Sequence, residues 1–186
     1  MKDDSVTTNP RLNLPQRTID DTEGDVKKIL GRLEETSDAL KVVRLIANSD
    51  TVFKPFVSMA AALMAKASLG AAEREVVILY LAAQRGVPYE WAEHIPMSSK
   101  AGVTDAQRAS LADGFPADLS LFDDSQQLAL TSAQEIVEHR RLAPEKFDRA
   151  REWWGEQAAL DLIFTVGWWG GFVPTVIEAF GLESPK

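Results

Sequence analysis

The chain has 186 residues, 45% of them hydrophobic and 26% charged, with a formal net charge of −8 and no cysteine. That length and balance suit one globular domain with a proper core. The missing thiols exclude disulfides, thiolate metal sites and CxxC redox pairs, and the acidic surface disfavours nucleic acid while leaving room for a small anionic ligand.

Met1-Lys2-Asp3-Asp4-Ser5 carries no apolar run, so no secretory signal is expected and the cytoplasm is the expected location. Residues 1–22 are polar and proline-punctuated and are read as an N-terminal arm, with Leu12 and Leu14 as its docking side chains. Residues 23–186 are read as a single all-helical domain. Val26, Ile29, Leu30 and Leu33 repeat with helical spacing after Gly24, and a short helix is expected over 39–47. Asn48-Ser49-Asp50 offers capping chemistry before a long helix through Phe53, Phe56, Val57, Ala60 and Met64.

From Val76 to Ala83 the chain is uninterruptedly apolar, which by itself fits a buried strand or a buried helix. The acidic first turn at Glu73, the alanines and the lack of flanking β-turn residues favour a central helix. Arg85-Gly86-Val87 makes a turn, and Pro88 suits the first position of the next helix, which Pro96 is expected to interrupt or kink. Thr104 with Gln107 forms a capping box, and residues 114–122 are the expected internal division. Beyond it, helices are placed at 124–140, 144–154, 156–168 and 173–180, and the architecture is an all-α compact helical bundle. The apolar stretch 159–180 is long enough for a bilayer, but Asp161, Glu178 and its glycines favour a buried or subunit-interface helix pair, and no membrane partner is expected.

Acid–base chemistry has two histidines to draw on. His139 lies in a charged helix end and reads as solvated. His94 has Glu90 one turn before it, on the same helical face. Glu75 begins the preceding helix, and a short turn makes the two helices antiparallel neighbours, so Glu75 is a further candidate for that face. A carboxylate on one imidazole nitrogen fixes the tautomer and frees the other nitrogen for proton exchange with a ligand. An ordinary surface pair between Glu90 and His94 fits the same spacing. No metal site is assigned, since one histidine with carboxylates makes neither a common zinc set nor a facial triad. Arg74 and Arg85 are candidates for gripping a substrate carboxylate, or else ordinary salt-bridge residues. Trp153, Trp154, Trp168 and Trp169 wall a pocket or an interface.

The segment Leu69-Gly70-Ala71-Ala72-Glu73-Arg74-Glu75-Val76-Val77-Ile78-Leu79, followed by Pro88-Tyr89-Glu90-Trp91-Ala92-Glu93-His94-Ile95-Pro96 and Ala101-Gly102-Val103-Thr104, resembles the carboxymuconolactone decarboxylase family. That family belongs to the wider alkylhydroperoxidase D-like superfamily, whose fold the resemblance implies. The peroxidase branch of the superfamily uses a glutamate, a CxxC pair and a histidine; the two cysteine positions fall on Val87 and Glu90, so thiol peroxidase chemistry is excluded. The resemblance implies a cofactor-independent lyase acting on a small organic acid or lactone, with His94, Glu90 and Glu75 in or beside the pocket. It gives Tyr89 and Trp91 packing roles, and it implies a homo-oligomer, trimeric or hexameric. The alternative is a non-catalytic ligand-binding or scaffold protein that retains the fold.

Overall fold

A computed structural model describes residues 12–36, 41–116 and 118–183. Among these the regular elements are all helical. They are α1 (Gly24–Thr36), α2 (Lys41–Ile46), α3 (Asp50–Ala61), α4 (Ala71–Arg85), α5 (Pro88–Lys100), α6 (Asp105–Leu111), α7 (Asp124–His139), α8 (Pro144–Trp154), α9 (Glu156–Gly167) and α10 (Val173–Phe180). Two π-helical segments, Ala62–Lys66 and Trp168–Phe172, extend α3 and join α9 to α10.

The ambiguous apolar run is helical, and α4 is the axis of the fold. Arg74 through Ala82 are all buried, and Val76, Val77, Ile78, Leu79 and Leu81 have no exposure at all. Around them pack Leu130 and Ala133 of α7, Leu162 and Val166 of α9, and Trp169. Each fully buried aliphatic side chain here contributes roughly 1.5–3 kcal/mol relative to exposure, which outweighs the modest helix propensity of the β-branched residues. Gly86 ends α4 in the left-handed region (φ 67°), with its N–H and that of Val87 both bonded to the carbonyl of Ala82. A side chain there would be strained, so glycine is what allows the tight reversal into α5.

Four features differ from the reading of the sequence. Pro96 does not end its helix, since α5 runs on to Lys100. Residues 114–122 do not divide the packing, because Leu111 before them and Leu130 after them join the same core cluster as α4. The apolar C-terminal stretch is one continuous helix over Glu156–Phe180 rather than a pair, because the π segment carries the chain through Gly170 and Gly171 without a break. That helix is long and apolar enough to cross a membrane, as the core helix of a soluble protein also can be, and 44% of its apolar window is buried within the chain.

The fourth concerns the arm. Residues 1–11 lie outside the described residues. The rest docks through Leu12 N–H bonded to the Ala179 carbonyl, Arg17 N–H to the Arg44 carbonyl, and the Arg17 side chain, whose Nε–H donates to Asn48 Oδ1. Leu12 and Leu14, expected to anchor it, keep 59% and 45% of their exposure. The short helix expected over 39–47 is seen as Lys41–Ile46, with residues 39 and 40 outside the described set.

Candidate active site

Glu75, Glu90 and His94 are buried together where α4 meets α5, at 1%, 2% and 6% exposure. Nδ1 of His94 lies 2.8 Å from Glu75 Oε2. A carboxylate only accepts, so Nδ1 carries the proton of this bond and Nε2 is the nitrogen left for a ligand. The tight turn at Gly86 sets this contact by laying the first turns of α4 against the middle of α5. The partner of His94 is therefore Glu75, from the facing helix, and not Glu90, to which the i,i+4 spacing pointed.

Glu90 has a different condition. Neither of its carboxyl oxygens finds a hydrogen-bond partner among the described residues. Burial without a counter-charge pushes its carboxyl up to about 9, so the group is a neutral acid at neutral pH. It thus carries an O–H that can donate. Glu93, adjacent in sequence, is also raised by desolvation, and the opposing influences on it come from Tyr89, His94 and Lys41.

Arg74 sits behind the pair, with its side chain 10% exposed. Its Nε is 3.5 Å from Glu75 Oε1, close enough for an ion pair but not aligned for a hydrogen bond. Arg85, the other candidate, is exposed at the end of α4. His139 is exposed as well, 3.8 Å from Glu138.

Trp169 closes the far side. Its ring meets the His94 imidazole edge-to-face, centroids 5.9 Å apart and planes at 87°. The π segment is the device that turns it inward, as such wide turns do at many functional sites. Gly170 lets the segment approach α4, since a Cβ there would lie 3.0 Å from Leu81 Cδ2. The four tryptophans thus separate. Trp169 belongs to the site, while Trp168 stacks on Phe172 and packs on Phe56. Trp154 donates its indole N–H to Ser125, and Trp153 is half exposed. The sequence signal for Trp169 was the Gly170-Gly171 pair that follows it, which marks a close backbone approach. Tyr89 is buried among Val42, Phe56 and Val173, and Trp91 packs against the main core, so both serve the helix packing.

Residues 50–114 match the carboxymuconolactone decarboxylase family model. As a whole, the chain is similar to the crystal structure of an uncharacterized peroxidase-related protein from Silicibacter sp. TM1040. The TM-score is 0.78, over 95% of this chain and 93% of that one, at 16% identity, a likeness that bears on the fold. It agrees with the expected alkylhydroperoxidase D-like fold. No curated protein matches the chain.

Proposed function

We propose, from the premise that residues 50–114 form a cysteine-free carboxymuconolactone decarboxylase segment, that this protein is a cofactor-independent lyase acting on a small carboxylated or lactone substrate. The observation that carries the reading is the buried 2.8 Å contact between His94 Nδ1 and Glu75, with a neutral carboxylic acid one helical turn away.

The chemistry follows from those groups. In a decarboxylation the C–CO₂⁻ bond breaks, carbon dioxide leaves, and the electron pair flows into a conjugated carbonyl as an enolate. The α-carbon then takes a proton and the carbonyl is restored. Nε2 of His94 delivers that proton, Glu75 holds the ring and stabilises the imidazolium, and solvent replaces the proton afterwards. The Glu90 O–H donates to the oxygen on which charge develops, which helps more in the transition state than in the ground state. Dehydration or isomerisation would use the same groups. Thiol-dependent peroxide reduction has no residue to form a sulfenic acid.

The exposed apolar residues of the C-terminal helix support a homo-oligomer, trimeric or hexameric. Leu160, Phe164 and Phe172 are each more than 40% exposed, and a second subunit would cover them. We place this assembly in the cytoplasm, with no membrane or nucleic-acid partner. A second reading, a ligand-binding or scaffold protein that retains the fold, draws support from the closure of the site. A hollow of about 290 Å³ beside Gly86, Val87, Pro88 and Trp91, on the same two helices, has none of the three residues in its wall.

The test is carbon dioxide release, or loss of substrate absorbance, from a panel of small unsaturated acids and lactones, with His94→Ala run in parallel. Turnover by the wild type and its loss in a folded His94→Ala protein support the lyase. Equal turnover in both removes His94 from the reaction.

A further inference from the structure

Away from the His94 cluster, a groove of about 480 Å³ runs between α1 and α3 and on to the π segment that extends α3. Its α1 wall is one helical face, on which Lys28, Ile29, Arg32 and Leu33 recur three and four residues apart. The α3 wall has the same spacing, with Lys54, Val57, Ser58 and Ala61. Ile29, Leu33 and Val57 are half-buried against the cluster of Leu30 and Phe53, so the floor is apolar and fixed. Lys54 Nζ reaches across to Asp25 Oδ2 at 3.2 Å and ties the two walls together. Glu75, Glu90 and His94 take no part in this wall.

Lys66 completes the groove, and it does so through the π segment. A face made of residues 54, 57, 58 and 61 continues in a regular α-helix at 64 or 65, where Met64 and Ala65 bring no charge. Lys66 is five residues on from Ala61, roughly 140° round an α-helix and so off that face. A π turn repeats at i to i+5 and carries such a residue back toward it. Residues Ala62–Lys66 are π-helical, and Lys66 lines the groove. The irregular turn thus supplies a cation that a regular helix would have turned away, and π turns recur at functional sites.

The charges say what kind of molecule fits. Three lysines, Lys28, Lys54 and Lys66, face one carboxylate, Asp25, which leaves two positive charges in surplus before Arg32 is counted. On a chain of net charge −8 that is a local reversal of sign. A phosphate monoester carries nearly two negative charges at neutral pH. Lysine holds a phosphate as a point charge, and the exposed Ser58 hydroxyl adds a further donor. The apolar floor asks for an apolar body, and the volume suits a single ring or short chain with its headgroup. We infer that the groove between α1 and α3 is a second ligand site, which binds a small organic phosphate monoester. Its phosphate sits among Lys28, Lys54 and Lys66, and its apolar body lies on Ile29, Leu33 and Val57. This site goes beyond the lyase reading and does not depend on it.

The probe is phenyl phosphate, at low ionic strength and a pH of about 7.5, where it is a dianion. Inorganic phosphate, which lacks the apolar body, and phenol, which lacks the charge, are run beside it. Calorimetry reads the affinity, and backbone amide ¹H–¹⁵N shifts read the place. Phenyl phosphate is expected to shift the amides of residues 25–33 and 54–66 and to bind on the order of 10-fold more tightly than either fragment, less so as salt is added. Lys66→Ala should weaken it about 5- to 10-fold. Lys27→Ala removes the same charge from an exposed position outside the groove, and it should leave the affinity within about twofold. Equal affinities for phenyl phosphate and inorganic phosphate overturn the inference, as do equal losses in the two variants, or no response up to about 10 mM phenyl phosphate. Two other occupants would overturn it as well. Binding to phosphatidic acid vesicles without a response to free phenyl phosphate gives the groove to a lipid surface. A smaller assembly by sedimentation in Lys66→Ala, again without a phenyl phosphate response, gives it to a second copy of the chain. The lyase reading stands or falls separately, since its own test runs through His94.

Discussion

His94 and His139 each stand beside a glutamate, and the same two groups have opposite surroundings. His139 is 59% exposed and 3.8 Å from Glu138, which is itself half exposed. Residues adjacent in sequence on a helix point in different directions, so this pair is loose. His94 is 8% exposed by side chain and 2.8 Å from a glutamate that is 1% exposed and comes from another helix. Water screens the first pair and is shut out of the second, so only the second can hold a tautomer, aim a nitrogen and keep that geometry through a reaction. Nothing in the residue types separates the two; the packing does.

The sharpest way to break the comparison is to remove both imidazoles in turn. His94→Ala should lower turnover by roughly 10²–10⁴-fold, the usual range for a positioned acid or base, with kcat and kcat/KM falling together. His139→Ala should leave kinetics unchanged. Steady-state assays on the first substrate found would show it, and a comparable loss in both proteins would end the distinction. Glu75→Gln comes next. Gln keeps the shape, but it can present its amide N–H₂ to Nδ1 and so favour the wrong tautomer. We expect an intermediate loss, about 10–100-fold, in a protein that unfolds at a lower temperature because Arg74 is left buried without its counter-ion.

Glu90→Gln tests burial without a partner. The folded carboxyl is raised from 4.5 to about 9, so the folded protein holds a proton that the unfolded chain releases. The wild type therefore loses stability as pH rises through the interval between those values, and the loss levels off above about 9. Gln mimics the neutral acid and does not titrate. The two proteins should have similar Tm near pH 4.5, and Glu90→Gln should be the more stable by a few kcal/mol near pH 8, on the order of 5–10 °C. Its turnover should still fall, though modestly, because an amide N–H is a weaker donor to a developing oxyanion than a carboxylic O–H. Thermal melts across that pH range decide it. A wild type as stable as the variant at pH 8 would mean that Glu90 is ionised and paired.

Most of the helices were legible because capping residues and apolar spacing are local. Thr104 with Gln107 at the start of α6 and Gly86 after α4 each act within a turn of where they sit. The members of the site were legible through the motif that carries the family resemblance. Their pairing was legible only as two alternatives. Spacing within α5 offered Glu90 as the partner of His94, the short turn between antiparallel helices offered Glu75, and the packing of α4 on α5 selects Glu75. Trp169 was harder still. Its place depends on a π segment, and no periodicity of the sequence distinguishes a π turn from an α turn in advance. The continuity of the C-terminal helix was missed for the same reason, since Gly170 and Gly171 read as a break when the chain stays helical through both and Gly170 permits contact with Leu81.

The smallest expected effect belongs to His139→Gln, and it bears on whether exposure alone separates the two histidines. His139 occupies the last turn of α7, ahead of Arg140 in the left-handed region (φ 56°), where the helix ends with its N–H on the Ile136 carbonyl. The imidazole makes no part of that cap. Its other neighbour, Glu135, is held below the usual carboxylate range chiefly by Lys146 and by the Ala143 N–H, with His139 the least of the causes. Lys146 and Ala143 stay in place when His139 is replaced, so that link between α7 and the start of α8 survives. Gln is also at least as good a helix former as His. The expected outcome is a Tm within about 2 °C of the wild type and turnover within about twofold, measured at pH 6 and at pH 8. A clear loss at either pH would show that a histidine in full contact with water is working in this protein, and the contrast with His94 would then rest on something other than burial.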